Sequence, residues 1–450
     1  MPFDRGRLSA LLAREAEAFA AARPRSRALF ERAGGSLLGG VPMPWMMLWA
    51  GGFPVFTQEA SGARIVDVDG HEYVDLCLGD TGAMPGHGPP VVVEAVRAQL
   101  GRGITTMLPT EDAIAVGEEL SRRFGMARWL FTLTATDANR TALRLARQLT
   151  GRPLVVVFSY CYHGSVDEAF AVAGEDGLTH SREGNVGPPV DPALTTRAIE
   201  FNDVGALETA LADGLVACVL AEPAMTNMGI VLPEPGYHER LRELTRAAGT
   251  LLIIDETHTF SAGPGGCTAA WGLEPDLLTI GKAIGSGIPS GALGLSGRIG
   301  DSLLADPDAD YEDTGGVGGT LAGNALSAAA MRATLEHVLT EAAFAHTVPL
   351  AERFAAGVEG VIAEHGLPWH VTRLGCRAEY GFSAPPPRDG TTAHAAADHE
   401  LERYLHLHAL NRGVMITPFH NMALMSPGTS EADVDRHTEV FGEAVAELAA

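Results

Sequence analysis

The chain is almost without lysine. Of its 32 basic residues 31 are arginine, and the one lysine among 450 residues is Lys282. Ordinary surface positions here therefore accept a guanidinium, so the position that keeps an amine needs what arginine cannot do: lose a proton, attack a carbonyl and form an imine. Positive charge is scarce as a whole. Against 56 Asp and Glu the net charge is −24, which argues against a partner held by its phosphate backbone. Cysteine is sparse too. Five residues, an odd number with no C-x-x-C pair, do not make a disulfide scaffold and point to a reducing cytoplasm. Long apolar runs are missing. Stretches such as LVACVL and LLII fall short of the roughly 20 residues that cross a bilayer. Arg14, Glu15 and Glu17 interrupt the N-terminal segment before it reaches signal-peptide length. The expectation is a cytoplasmic protein that engages neither nucleic acid nor membrane.

What is present has the rhythm of an α/β protein. An amphipathic helix over Leu8–Ala33 leads into the apolar, Gly/Pro-rich stretch GGVPMPWMMLWAGGFP. Alternating residues around Asp69-Gly70 predict a hairpin of strands Phe56–Asp69 and His71–Leu76. Farther on, short apolar runs (ARWLFTL, PLVVVFS, VACVLAEP, GTLLIIDE, LLTIG, SGALGLS) alternate with helical segments, the pattern of a mainly parallel sheet covered on both faces. After Asn324 one long helical segment precedes two predicted strands, CRAEYGFS and GVMITPF, and a closing helix from Glu431. The predicted division is an N-terminal helix and hairpin over 1–77 that packs with the C-terminal domain, a large α/β domain over 78–325, and an α+β domain over 326–450.

Lys282 lies in LLTIGKAIGSGIPSG, after an apolar strand and before a glycine-rich turn. A phosphate loop of the Walker type would need Gly and Ser or Thr where Asp276 and Ala283 stand, so that reading fails. An imine-forming lysine suggests pyridoxal 5'-phosphate, which needs an acid for its ring nitrogen, a cradle for its phosphate and packing for its ring. Asp255 ends the run LLIID, at the carboxyl end of a buried strand, where ligands bind in open α/β sheets. It is either the ring acid or a helix cap. Thr134, Ala135 and Thr136 stand where a strand passes into a helix, and they offer either an anion site or an ordinary cap. Tyr162 and His163 follow the strand PLVVVFS as further candidate cofactor contacts; Tyr162 either stacks on a flat ring or packs as a loop tyrosine.

The ordered set TLTATDAN, CYHG, EPAMTNMG, IIDETHTF, TIGKAIGSGIPSGA and GGTLAGNALSAAA resembles the class III (subgroup II) aminotransferases of fold type I, most of all their glutamate-1-semialdehyde aminomutase-like branch. The likeness runs from about Ser26 to the C-terminus and includes SRALFERAGGSLLGGVP and GARIVDVDGHEYVDL. It implies a fold type I α/β architecture and pyridoxal 5'-phosphate carried on Lys282. It further implies Asp255 at the ring nitrogen, Tyr162 against the ring, phosphate contacts from Ala135 and Thr136, Asn227 near the ring hydroxyl and Glu222 at the start of that loop. It also implies a homodimer in which Thr320 reaches the neighbouring subunit's phosphate.

The departures matter as much. Thr134-Ala135-Thr136-Asp137 stands where the family reads SGTE, so a methyl replaces hydrogen at a close phosphate approach. Thr257 and His258 follow Asp255-Glu256 where most members read DEV or DEI. Thr257 would face the ring side opposite Tyr162, and His258 would either hydrogen-bond near the ring hydroxyl or pack. Where the aminomutase branch supplies an arginine for a substrate carboxylate, this chain has Met46, with Trp45 beside it. Arg377 is the remaining candidate clamp, with an ion pair to Glu379 as its alternative role. The expected activity is transamination of ω-transaminase type. An amino group would pass from a hydrophobic amine or amino-acid donor to a keto acid or other carbonyl acceptor by a ping-pong route, with Lys282 shuttling the proton. The alternative is an aminomutase or racemase on the same scaffold. His394, His399, His406 and His408 lack the spacing of a zinc helix and read as solvated surface, so no metal is expected.

Overall fold

The computed structural model describes residues 3–305 and 317–450 and divides into two units. The larger unit comprises Pro90–Glu341 and the short return Pro387–Ala395. Its sheet is built from β1 (Arg128–Thr132), β2 (Leu154–Phe158), β3 (Thr196–Ile199), β4 (Val216–Ala221), β5 (Leu251–Asp255), β6 (Leu277–Ile280) and β7 (Gly291–Leu295), in the spatial order β1-β7-β6-β5-β4-β2-β3. The run from β6 to β3 is parallel, and β7 pairs antiparallel with both β6 and β1. Every residue of β4, β5, β6 and β7 is buried. A strand covered on both faces must be apolar on both, which explains unbroken runs such as VACVLA and LLII. Helix α1 (Ala135–Thr150) follows β1 and buries Ala138, Ala142, Leu145 and Ala146 on one face. The β5–β6 register sets Asp255 opposite Thr279, so the carboxyl ends of these neighbouring strands stand side by side, with Lys282 just beyond β6.

The second unit gathers residues up to Pro89, Ala342–Pro386 and Ala396–Ala450. It holds a four-stranded sheet (Thr57–Ser61, Arg64–Asp67, Glu72–Asp75, Val414–Met415) and a three-stranded antiparallel sheet (His370–Leu374, Arg377–Gly381, Met422–Leu424). Helix Arg5–Ala22 packs on helix His399–Asn411.

Several expected boundaries move. The strand expected over Phe56–Asp69 is two strands, because Gly62, at φ +56°, turns the chain back and Thr57–Ser61 pairs with Arg64–Asp67. The single long helix after Asn324 is two, Ala325–His337 and Glu341–Glu364. The first of them belongs to the larger unit, packed on helices Pro90–Leu100 and Glu111–Phe124, so the division expected at 325 falls at 341 and the one at 77 falls at 89. Of GVMITPF only Val414–Met415 is a strand, and it joins the N-terminal sheet beside Glu72–Asp75. Strand β3 went unread in the sequence because it is a four-residue edge strand with no long apolar run.

Candidate cofactor site

All the residues expected to hold a cofactor belong to the larger unit. Thr134 is the N-cap of α1: its hydroxyl oxygen accepts from the Asp137 amide at 3.2 Å and its hydroxyl lies 2.8 Å from the Asp137 carboxylate. The cap serves Asp137, and a helix start leaves its first N–H groups, here those of Ala135 and Thr136, without intrahelical acceptors at the positive end of the dipole. Two glycines come close around this start. A Cβ on Gly281 would lie 3.0 Å from the Ala135 nitrogen, and one on Gly164, whose φ is +76°, would collide with the Thr136 side chain.

Asp255 is buried at the end of β5 and accepts three hydrogen bonds: from the Thr257 amide at 3.0 Å, from Asn139 Nδ2 at 2.8 Å and from His163 Nδ1 at 2.9 Å. Asn139 is fixed in turn by the Thr279 hydroxyl, which donates to its Oδ1 at 2.7 Å. Burial by itself would raise the Asp255 pKa; the His163 ring together with the Thr257 and Asn139 donors holds it down at about 2. A carboxylate has about four lone-pair positions. Three are spoken for, which leaves room for one more donor such as a protonated ring nitrogen. Thr257 Oγ1 is buried without a hydrogen-bond partner, a polar atom that a bound group can satisfy.

Lys282 follows β6 with its backbone at φ +50°, a conformation that costs a non-glycine residue about 1 kcal/mol or more and that collects at functional sites. Its Nζ lies 2.7 Å from His258 Nε2. Tyr162 is half-buried and meets Phe170 edge-on. Asn227 donates to the Tyr160 carbonyl at 2.9 Å, which ties the loop after β4 to the loop after β2, and Glu222 accepts from the Thr226 hydroxyl inside its own loop. Thr320 is exposed. The residues that sequence reasoning missed are Asn139 and Thr279. Asn139 sits inside the quoted TLTATDAN run, one turn into α1, where a buried amide in an otherwise small and apolar helix face was the available signal.

The candidate substrate residues lie in the second unit. Trp45 and Met46 form part of a short 3-10 turn, Pro44–Met47, and Trp45 meets Phe419 edge-on at 5.4 Å. Arg377 is fully buried, with Nη2 3.7 Å from Glu379 Oε2, the ion-pair alternative. The histidines need a correction. His394 and His399 are exposed, but His406 and His408 face the core rather than solvent, because helix His399–Asn411 is enclosed by its neighbours in that unit. His408 lies within 4.8 Å of Glu15 and Glu447 oxygens. Arg14 and Arg412 already pair with Glu15, and Arg14 also with Glu447, so positive charge is supplied there by guanidinium groups.

Residues 47–445 match the family profile described as Aminotransferase class-III. The chain belongs to this family. It is 49% identical to a Pseudomonas aeruginosa protein described as a glutamate-1-semialdehyde aminomutase, whose crystal structure superposes with a TM-score of 0.97 over 100% of both chains. A lysine-to-alanine variant of that protein has been solved with pyridoxamine phosphate, PMP. The glutamate-1-semialdehyde 2,1-aminomutase of Anaeromyxobacter dehalogenans is 34% identical over 430 residues, covering 94% of this chain and 98% of that one. An ω-transaminase from Sphaerobacter thermophilus is 31% identical with a TM-score of 0.86, covering 95% and 98%. The class III member described here is thus a fold type I enzyme that uses pyridoxal 5'-phosphate, and the donor set around Asp255, Thr257 and the start of α1 fits that group. Among the described residues no helix is long and apolar enough to cross a membrane.

Proposed function

We propose that this enzyme is an aminomutase-type isomerase, which moves an amino group between carbons of one small amino-carbonyl substrate. The observation that carries this reading is the 49% identity, over the whole of both chains, to the P. aeruginosa protein described as an aminomutase. Pyridoxal 5'-phosphate supplies a carbonyl carbon for an amine to attack and a ring that takes up electron density from the carbon being deprotonated. The chain's own residues do the rest. Lys282 holds the cofactor and then carries a proton between substrate and cofactor carbons. Asp255, kept anionic by its three donors, favours a protonated ring nitrogen. Ala135 and Thr136 offer their amides to the phosphate, Thr257 and Tyr162 flank the ring, and His163 secures Asp255. Glu222 and Asn227 shape the loop near the ring hydroxyl. Thr320 serves the phosphate site of a second copy in a homodimer.

A second reading, transfer between two substrates, is favoured by Met46 standing where the aminomutase branch has an arginine, and by the 31% identity to the S. thermophilus ω-transaminase. Incubation with glutamate-1-semialdehyde and no acceptor separates the two. Stoichiometric rearranged product over many turnovers is expected. Product that forms only when a keto acid is added, with a separate keto compound accumulating from the donor, would replace isomerase with transferase.

A further inference from the structure

We propose that His258 is the proton partner of Lys282, accepting a hydrogen bond from its ammonium at Nε2 and serving as the group through which that proton leaves and returns during turnover. The two residues come from the loops after neighbouring strands β5 and β6, and their nitrogens lie 2.7 Å apart. That is hydrogen-bond distance between a donor and an acceptor that both titrate. An ammonium can only donate and an unprotonated ring nitrogen accepts, so the two groups are matched as donor and acceptor. The other ionisable groups on these elements are engaged. Asp255 accepts from Thr257, Asn139 and His163, and Glu256 accepts from the Thr259 hydroxyl and the amides of Cys267 and Thr268. The step balances without another reactant: one N–H bond on Nζ breaks, one forms on Nε2, and the electron pair stays on Nζ as the lone pair that a base or nucleophile needs. His258 acts through Lys282 and is in that sense a positioning residue. The strained φ of +50° at Lys282 belongs with this role, because it fixes where the amine starts. The inference rests on the reading that Lys282 is the amine that carries the cofactor.

The single lysine makes the test direct. Lysine labelled with 13C at Cε gives one lysine signal from the full chain. Loading with pyridoxamine 5'-phosphate, which brings its own amine, leaves Nζ unattached. The pH midpoint of that signal is measured in wild type, His258→Met and His258→Gln. Methionine removes the acceptor, and the Lys282 midpoint is expected to fall by about one pH unit, a tenfold change in its dissociation constant, because the charged form loses its partner. Glutamine accepts through Oε1 but cannot hold a proton, so it should restore the midpoint while turnover stays slow. In wild type the His258 ring signal, identified by its loss in the glutamine variant, should inflect again at the lysine midpoint. An unchanged or raised midpoint in His258→Met overturns the proposal, as does a His258 signal indifferent to Lys282. Borohydride reduction of the pyridoxal-phosphate form tests the underlying reading separately: a Lys282 peptide without the reduced cofactor's mass would sink that reading, whatever the titration gives.

Discussion

Asp255 shows what one residue can and cannot disclose in a sequence. Its place at the end of LLIID marks a strand terminus, and that much is legible. That its carboxylate meets Asn139, His163 and the Thr257 amide is not, because these come from positions up to 116 residues away and share no spacing. The same holds for Lys282, which the composition singles out while leaving His258 as either a ring contact or packing. The Asp255 network carries a pH signature. The carboxyl's folded pKa, about 2, lies below its ordinary 3.8, so its contribution to stability is complete above about pH 4 and is lost as pH falls toward 2. By linkage the amount is on the order of 2 kcal/mol. Asp255→Asn cannot titrate, and whichever way its amide turns, its NH2 meets a donor, either the Thr257 amide or Asn139 together with His163. The variant is expected to be less stable at pH 7, with the deficit relative to wild type shrinking between pH 4 and pH 2. Urea midpoints of the cofactor-free chains across that range measure it; a deficit that stays constant would mean that Asp255 is not held ionised by its neighbours.

At the scale of elements, the apolar runs read well because parallel strands are buried on both faces. What escaped were features decided by backbone turns and by neighbours: the reversal at Gly62, the break between helices Ala325–His337 and Glu341–Glu364, and the buried side of His399–Asn411. The approach of the loop after β2 to the start of α1 belongs to this scale. Gly164 has both a positive φ and the Thr136 side chain in the path of any Cβ, with Thr136 Cα 3.0 Å away. Gly164→Ala therefore has to move the first turn of α1, which carries the amides proposed to hold the phosphate. The expected result is a loss of about 1 to 3 kcal/mol in stability together with weaker retention of pyridoxal phosphate on dialysis. Gly177→Ala is the control, since Gly177 has a similar φ of +73° and open space around its Cβ. It should show the backbone strain alone and keep its cofactor. Equal cofactor loss in both variants would mean that the contact with Thr136 does not shape the phosphate site.

The whole molecule sets a different condition. A net charge of −24 surrounds a site that must admit a phosphate dianion, and the two influences differ in range. The attraction at the start of α1 acts over about one helical turn, since the dipole effect fades beyond the first turn. The net charge acts out to the screening distance, about 30 Å at 0.01 M salt but only about 8 Å at 0.15 M. At low salt an approaching pyridoxal phosphate meets repulsion before it feels the amides, and added salt removes the repulsion while leaving the short-range contacts largely intact. Reconstitution of the cofactor-free chain should therefore speed up severalfold between 0.01 and 0.15 M sodium chloride, with the dissociation rate much less affected. Stopped-flow absorbance of the lysine-bound cofactor gives the association rate, and dilution or competition gives the release rate. Because 31 of the 32 basic residues are arginine and titrate far above the working range, raising pH from 7 to 9 should leave this salt dependence nearly unchanged in slope. A rate that falls with salt would instead mean that arginines cluster near the entrance and overrule the net charge, so that the site is steered locally against the field of the molecule.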